Sequence, residues 1–400
     1  MCSRRSDRHP VDLGYVPQLV ELPPPEVMDE IANLYFIHCH NQPYSVFHEH
    51  TFKMNLQAGL IAPEVQYCML GMAMRYFPLL ILFNLRFCEN PYFAGRKNEL
   101  AEKYLAAANQ IITTLVRDGI VTLPLLQAIV LCVFVDIHTG RPHRAFVTLG
   151  IGIRLAEAVG LLAEPSDQLS PITQEEHRRV FWAMYMLDRI AGTGRSLVQS
   201  IRDEDVEVQL PMDEESFAKG IAKKTAPLIP LETEEEAEQP EDLGIVAYLV
   251  RILSIWGRVV DYVIQGKTKQ RSTQPWHPGS DFAAIEAALL QFESNFPKQH
   301  RYTPETLRQR VIGDEARYYA GPWLIMQFIY HSAFCLLHHP VFPTLRLQHL
   351  WRKIPGAFLQ RSSDMRLVHS RWIIRFLRDA DACGYEVMSP FTGYCVCLPC

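Results

Sequence analysis

The chain has 400 residues, 48% of them hydrophobic, which is material for a substantial buried core and excludes disorder as the whole answer. Its 39 Lys plus Arg stand against 44 Asp plus Glu, a net charge of −5, so the basic excess by which a protein grips phosphates through bulk charge is missing. Ten cysteines are too sparse for a disulfide scaffold, and no charged start followed by an apolar run and a cleavage site opens the chain. A reduced, intracellular protein is the expectation.

Residues 1–25 combine Arg4, Arg5 and Arg8 with four prolines from Pro17 to Pro25 and read as a Pro-rich tail. From residue 26 onward the apolar period is helical. In NELAEKYLAAANQIITTLVRDG, Leu100, Tyr104, Ala108, Ile111 and Leu115 share one face, and Gly119 stands where a helix stops. Residues 120–135 form the longest apolar stretch. At about 16 residues it is short of the roughly 20 that span a bilayer, so a buried helix is expected and no membrane role. The stretch after it turns at HTGRPH into a second helix with Phe146, Leu149, Ile153, Ala156 and Gly160 on one stripe. Gly150, Gly152 and Gly160 cost that helix stability, and the expectation is close backbone approach to a neighbour.

SPITQEEHRRVFWAMYMLDR is the next helix, with Thr173 and Glu176 spaced as a capping box and Glu175 four residues before Arg179 in the favourable order for a surface pair. Asp188 closes an apolar run and needs a partner, which Arg195 in the following GRS can supply. Residues 212–242 contain ETEEEAEQPED and read as an acidic solvated loop, and residues 266–281 as a second loop. Helical pattern returns between and after them, without sustained alternation of period two. The fold class is all-α.

Three clusters could carry chemistry. His38, His40, His48 and His50, with Cys39, offer metal ligands within thirteen residues, but their spacing matches no standard zinc finger, and Pro43, Tyr44 and Phe47 between them suit a packed loop. Cys395, Cys397 and Cys400 are three thiols where a closed zinc site takes four ligands. His331, His338 and His339 lack the carboxylate spacing of a zinc-protease helix. A metal-dependent enzyme built on the first cluster is a remote alternative. No P-loop, dinucleotide turn, nucleophile elbow or kinase loop occurs, so no catalytic or cofactor residues are assigned.

Read in order, GRPHRAFVTLGIGIRLAEAVGLL, EEHRRVFWAMYMLDR and GRSLVQSIRDEDVEVQLP resemble the middle homology region of fungal zinc binuclear cluster transcription factors. LYFIHCHNQPYSVFHEHTF, YHSAFCLLHHPVF and SPFTGYC are similar to flanking parts of the same region. The resemblance implies a multi-helix regulatory domain over residues 26–400, cut short in its last helix. Its motif falls on Arg154, Gly160, Arg179, Phe181, Trp182, Asp188, Gly194, Arg195 and Pro211. On this footing Asp188 and Arg195 tie the FW helix to the loop after it, and Phe181 and Trp182 anchor that helix. Ser196 stands where the family has proline, and Cys2 and Cys39 are the only cysteines before Cys68, so the six-cysteine module that holds zinc and DNA is not among these residues. Zinc and direct DNA contact are then expected only of a full-length member. The resemblance further implies a non-enzymatic regulator of RNA polymerase II transcription in the nucleus, acting through coregulators or a small-molecule effector. It is compatible with a homodimer, and a helical interaction scaffold without DNA binding is the alternative. KTKQR, with Lys267, Lys269 and Arg271, is too short and mixed to carry nuclear import by itself.

Overall fold

A computed structural model of the chain describes residues 20–76, 96–193, 198–229, 242–265, 273–311, 316–340, 353–385, 387 and 389–398. Among the described residues every regular element is helical and none is a strand. The first seven helices are α1 (Pro25–His38), α2 (Glu49–Gln57), α3 (Pro63–Tyr76), α4 (Lys97–Arg117), α5 (Leu123–His138), α6 (Pro142–Ala158) and α7 (Pro171–Ala191). After the short α8 (Glu214–Ala218) come α9 (Ile245–Val260), α10 (Asp281–Asn295), α11 (Pro304–Val311), α12 (Ala316–Leu337), α13 (Gly356–Ala382) and α14 (Pro390–Cys397).

Local chemistry sets several starts. Thr122 Oγ1 accepts the Leu125 N–H at 3.2 Å and Pro124 occupies the first turn of α5; Ser280 accepts the Ala283 N–H at 3.1 Å to open α10. A hydroxyl there satisfies one of the four N–H groups that a helix start leaves without an intrahelical partner. At α7 the cap is Ser170, whose Oγ accepts from the Thr173 N–H at 3.1 Å. The sequence pointed to Thr173 instead. The start lies three residues earlier because Pro171 can sit in the first turn, and Glu176 is thereby freed to accept the His48 N–H at 2.8 Å.

Packing runs outward from two buried centres. Helix α5 is buried from Leu125 to Asp136 and is covered by α3, α4, α6 and α7. Helix α9 is covered by α7, α10 and α12, and α12 in turn by α11, α13 and α14. Helix α7 therefore bridges the two centres. Asp136, 1% exposed, would be costly in α5 without a counter-charge; Arg144 Nε from α6 meets it at 2.7 Å. By length and composition Tyr318–Leu337 could cross a membrane, but 94% of that stretch is buried inside the fold.

The expected close approach at the α6 glycines holds at one position. A Cβ on Gly152 would stand 2.8 Å from Ile129 Cγ2 of α5, whereas one on Gly150 would meet nothing within 4 Å. Gly160 has open space too; its requirement is the left-handed φ of +74° with which the chain leaves α6. Acidic residues 230–241 and residues 266–272, within the two expected loops, lie outside the described residues.

Candidate functional site

Helix α7 carries an unusual density of buried charge. Arg179 is 2% exposed and reaches four groups: Glu175 Oε1 at 2.8 Å through Nε, Glu214 Oε1 at 2.9 Å and Ser45 through Nη1, and the Met212 carbonyl at 2.9 Å through Nη2. Its guanidinium carbon lies 4.1 Å from the centre of the Phe217 ring. Glu175 is fully buried, accepts the Met212 N–H at 3.0 Å, and takes a second bond from Arg178 at 3.3 Å. Glu175 and Arg179 are a core pair, not the surface pair their spacing suggested. Burial pushes the Glu175 and Glu214 carboxyls up against the pull of Arg179. The same cause takes Glu176 up to about 7.

Further along α7, the Trp182 indole N–H donates to the Gln209 carbonyl at 2.7 Å. Asp188, 2% exposed, accepts the Ser200 N–H at 2.9 Å and the Ile201 N–H at 3.1 Å. Arg189 links Asp188, the Ile201 carbonyl at 2.8 Å and Asp203 at 2.5 Å, and Asp203 also accepts from the Tyr185 hydroxyl and from Ser254 of α9, each at 2.6 Å. Burial raises the Asp188 carboxyl, and the Ser200 and Ile201 N–H groups and Arg189 hold it back.

The physical sense of the motif is now visible. Arg179, Trp182 and Asp188 each bond main-chain groups between residues 200 and 212, a segment with no strand partner to satisfy them. Phe181 and Trp182 are 1% and 0% exposed and meet edge to face at 5.0 Å, anchoring α7, and Pro211 is buried in the held segment. Arg154 is different: it is 71% exposed and bonds Glu157 at 2.5 Å. Gly194 and Arg195 lie outside the described residues, and so does the expected tie between Arg195 and Asp188. Asp203 and Glu214 were not singled out from the sequence. Glu175, Arg179 and Trp182, at i, i+4 and i+7, did share a helical face, and that spacing was the readable sign that the charges go inside.

The segment held by α7 continues into α8, which walls a cleft of about 990 Å³ against α2, the start of α9 and α12. Lys53 pairs with Glu49 at 2.6 Å and Lys223 with Asp213 at 2.5 Å on its walls. Deeper, His300 Nε2 stands 2.8 Å from Asp242 Oδ2 and its Nδ1 2.5 Å from the Tyr319 hydroxyl, with Arg310 stacked on the Tyr319 ring at 3.6 Å. Burial opposes ionisation of Asp242, but the His300 bond and the Gly244 N–H hold it down to about 2. Burial pushes the Tyr319 phenol up.

The histidine cluster divides by role. His48 starts α2: its Nδ1 accepts from Thr51 while Nε2 faces the Ala218 carbonyl at 3.1 Å, tying α2 to α8. His40 is 5% exposed among Tyr35, Phe36 and Tyr318, and burial takes its ring down to about 3. His38 ends α1 and His50 is exposed. Among the described residues no three of His, Cys, Asp and Glu gather as metal ligands. Cys395 is buried and Cys397 exposed, and Cys400 is outside the described residues.

Comparison with known proteins adds a lineage to this geometry. Residues 32–296 match the family described as fungal specific transcription factor domain. The chain is 28% identical over 341 residues, 81% of its length, to an uncharacterised transcriptional regulatory protein of Schizosaccharomyces pombe, of which this covers 33%. A Zn(2)-C6 fungal-type transcription factor of Fusarium oxysporum is 24% identical over 396 residues, 94% of this chain and 40% of that protein. A second S. pombe transcriptional regulatory protein is 25% identical over 93% of this chain and 46% of its own length. The chain thus spans less than half the length of these relatives. No solved structure matches it.

Proposed function

The chain belongs to the fungal specific transcription factor domain family, and on that premise we propose that it is the regulatory segment of a nuclear transcription regulator, not an enzyme. It works by presenting the α2–α8–α9–α12 cleft to a coregulator or effector, while sequence-specific DNA contact falls to another module. The observation that carries the reading is the family match over residues 32–296, which contains the whole α7 grip on residues 200–212. The charge balance supports the division of labour, because 39 basic against 44 acidic side chains leave no overall basic excess with which to grip phosphates.

The cleft suits such a role for a physical reason. Its α8 wall is wired to the core through Glu214, so whatever presses on that wall also loads Arg179 and the segment behind it. Tethering the chain to a heterologous DNA-binding module in a fungal host tests this. The tethered chain is expected to raise or lower a reporter, and Lys53→Ala with Lys223→Ala to change that output without lowering the melting temperature. A reporter indifferent to the tethered chain would sink the proposal.

A further inference from the structure

A second cavity, of about 680 Å³, opens between α10, α12 and α13, and most of its lining is aromatic and apolar, with Phe292, Phe296, Tyr302, Phe334, Trp372 and Phe376. Leu290 and Val368 on its lining are 46% and 48% exposed, so apolar surface runs out to the solvent edge. The charged side chains on the lining are already engaged. Glu293 accepts from the Tyr330 hydroxyl at 2.7 Å, and Arg301 donates to the Phe296 carbonyl at 3.2 Å and to that of Ser294.

Within this apolar lining stand two imidazoles, His331 and His369, 7% and 8% exposed, with Nδ1 to Nδ1 at 2.8 Å. His369 stacks on Phe334 at 4.0 Å and His331 on Trp372 at 5.7 Å. Burial holds both rings neutral: His331 falls well below its usual range, and His369 goes down to about 4. A neutral imidazole carries one proton, so a bond between two Nδ1 atoms requires opposite tautomers. The ring that donates through Nδ1 has a bare Nε2, and the ring that accepts carries its proton on Nε2. Among the described residues neither Nε2 has a hydrogen-bond partner, and neither is sealed from solvent. The pair thus adds one donor and one acceptor to a mostly apolar cavity, on whose lining Gln327 is a further uncharged polar side chain.

We propose that the α10–α12–α13 cavity is a binding site for an uncharged, flat aromatic or polycyclic molecule bearing one hydroxyl, which stacks among the aromatic side chains and both donates to and accepts from the His331–His369 pair. The proposal does not depend on the regulatory reading, since binding is measured on the purified chain.

The probes are 2-naphthol and its methyl ether, titrated calorimetrically into the whole chain. The ether keeps the rings but cannot donate. Wild type is expected to prefer the naphthol by about fivefold, the worth of one net hydrogen bond, and His331→Phe with His369→Phe to abolish the preference while keeping the ether's affinity. No saturable binding of either probe, or a preference that survives in the double variant, overturns the proposal. Should the variant fail to fold, nitrogen NMR of histidine-labelled wild type at neutral pH decides. Two neutral rings of opposite tautomer whose Nε2 resonances move with naphthol uphold the proposal, and charged rings or unmoved resonances refute it.

Discussion

Asp188 shows what a single buried acid does here. It holds two main-chain N–H groups and faces Arg189, so Asp188→Ala would leave a buried guanidinium short of a counter-charge and two donors without acceptors. The expected loss is about 3–5 kcal/mol, read as a lowered denaturation midpoint. Asp188→Asn, which can still accept from the two N–H groups, should lose less. An unchanged midpoint for the alanine variant would dismiss the argument. That Asp188 needed a partner was legible in its place at the end of an apolar run. Its partners at Ser200 and Ile201 were not, because main-chain groups carry no signature in the sequence. The same limit applied to His48, whose neighbours Ala218 and Glu176 come from elements far along the chain.

At the level of helices, sequence periodicity read the architecture well and the exposure of individual faces less well. The amphipathic α4 ends before Gly119 as its stripe implied, and α5 is buried as its apolar run implied. Helix α7 carries Glu175 and Arg179 at the spacing of a surface pair. It is enclosed between α5, α6, α9 and residues 200–212, which turns its charges into core links. The cleft was not legible at all, since Glu49, Asp213, Asp242, His300 and Tyr319 meet only when distant helices do. Helix α6 provides a paired test. Gly150→Ala should add about 0.5–1 kcal/mol of stability, as helix propensity alone decides there. Gly152→Ala should give no gain or a loss of about 1 kcal/mol, because its methyl must displace Ile129. Thermal denaturation of the two variants separates the effects, and equal gains would contradict the seam.

Over the molecule as a whole, stability is tied to pH through rings that burial keeps neutral. His369 sits down at about 4 when folded, against roughly 6.5 in an unfolded chain. As pH falls below about 6.5 the unfolded chain takes up that proton first, so the ring's contribution is intact above this range and is lost between about 6.5 and 4. His369→Phe is therefore expected to lose about 2 kcal/mol less than wild type between pH 7 and pH 5, read from denaturation midpoints; parallel pH curves would refute it. The family match covers residues 32–296, yet Trp256, inside that span, meets Phe391 and Tyr394 of α14 at 5.8 and 6.3 Å, and α9 rests on α12. A gene fragment that honours the boundary of resemblance would strip the indole of its cover and bare a greasy flank of α9. The stretch that matches the family is shorter here than the body that must fold.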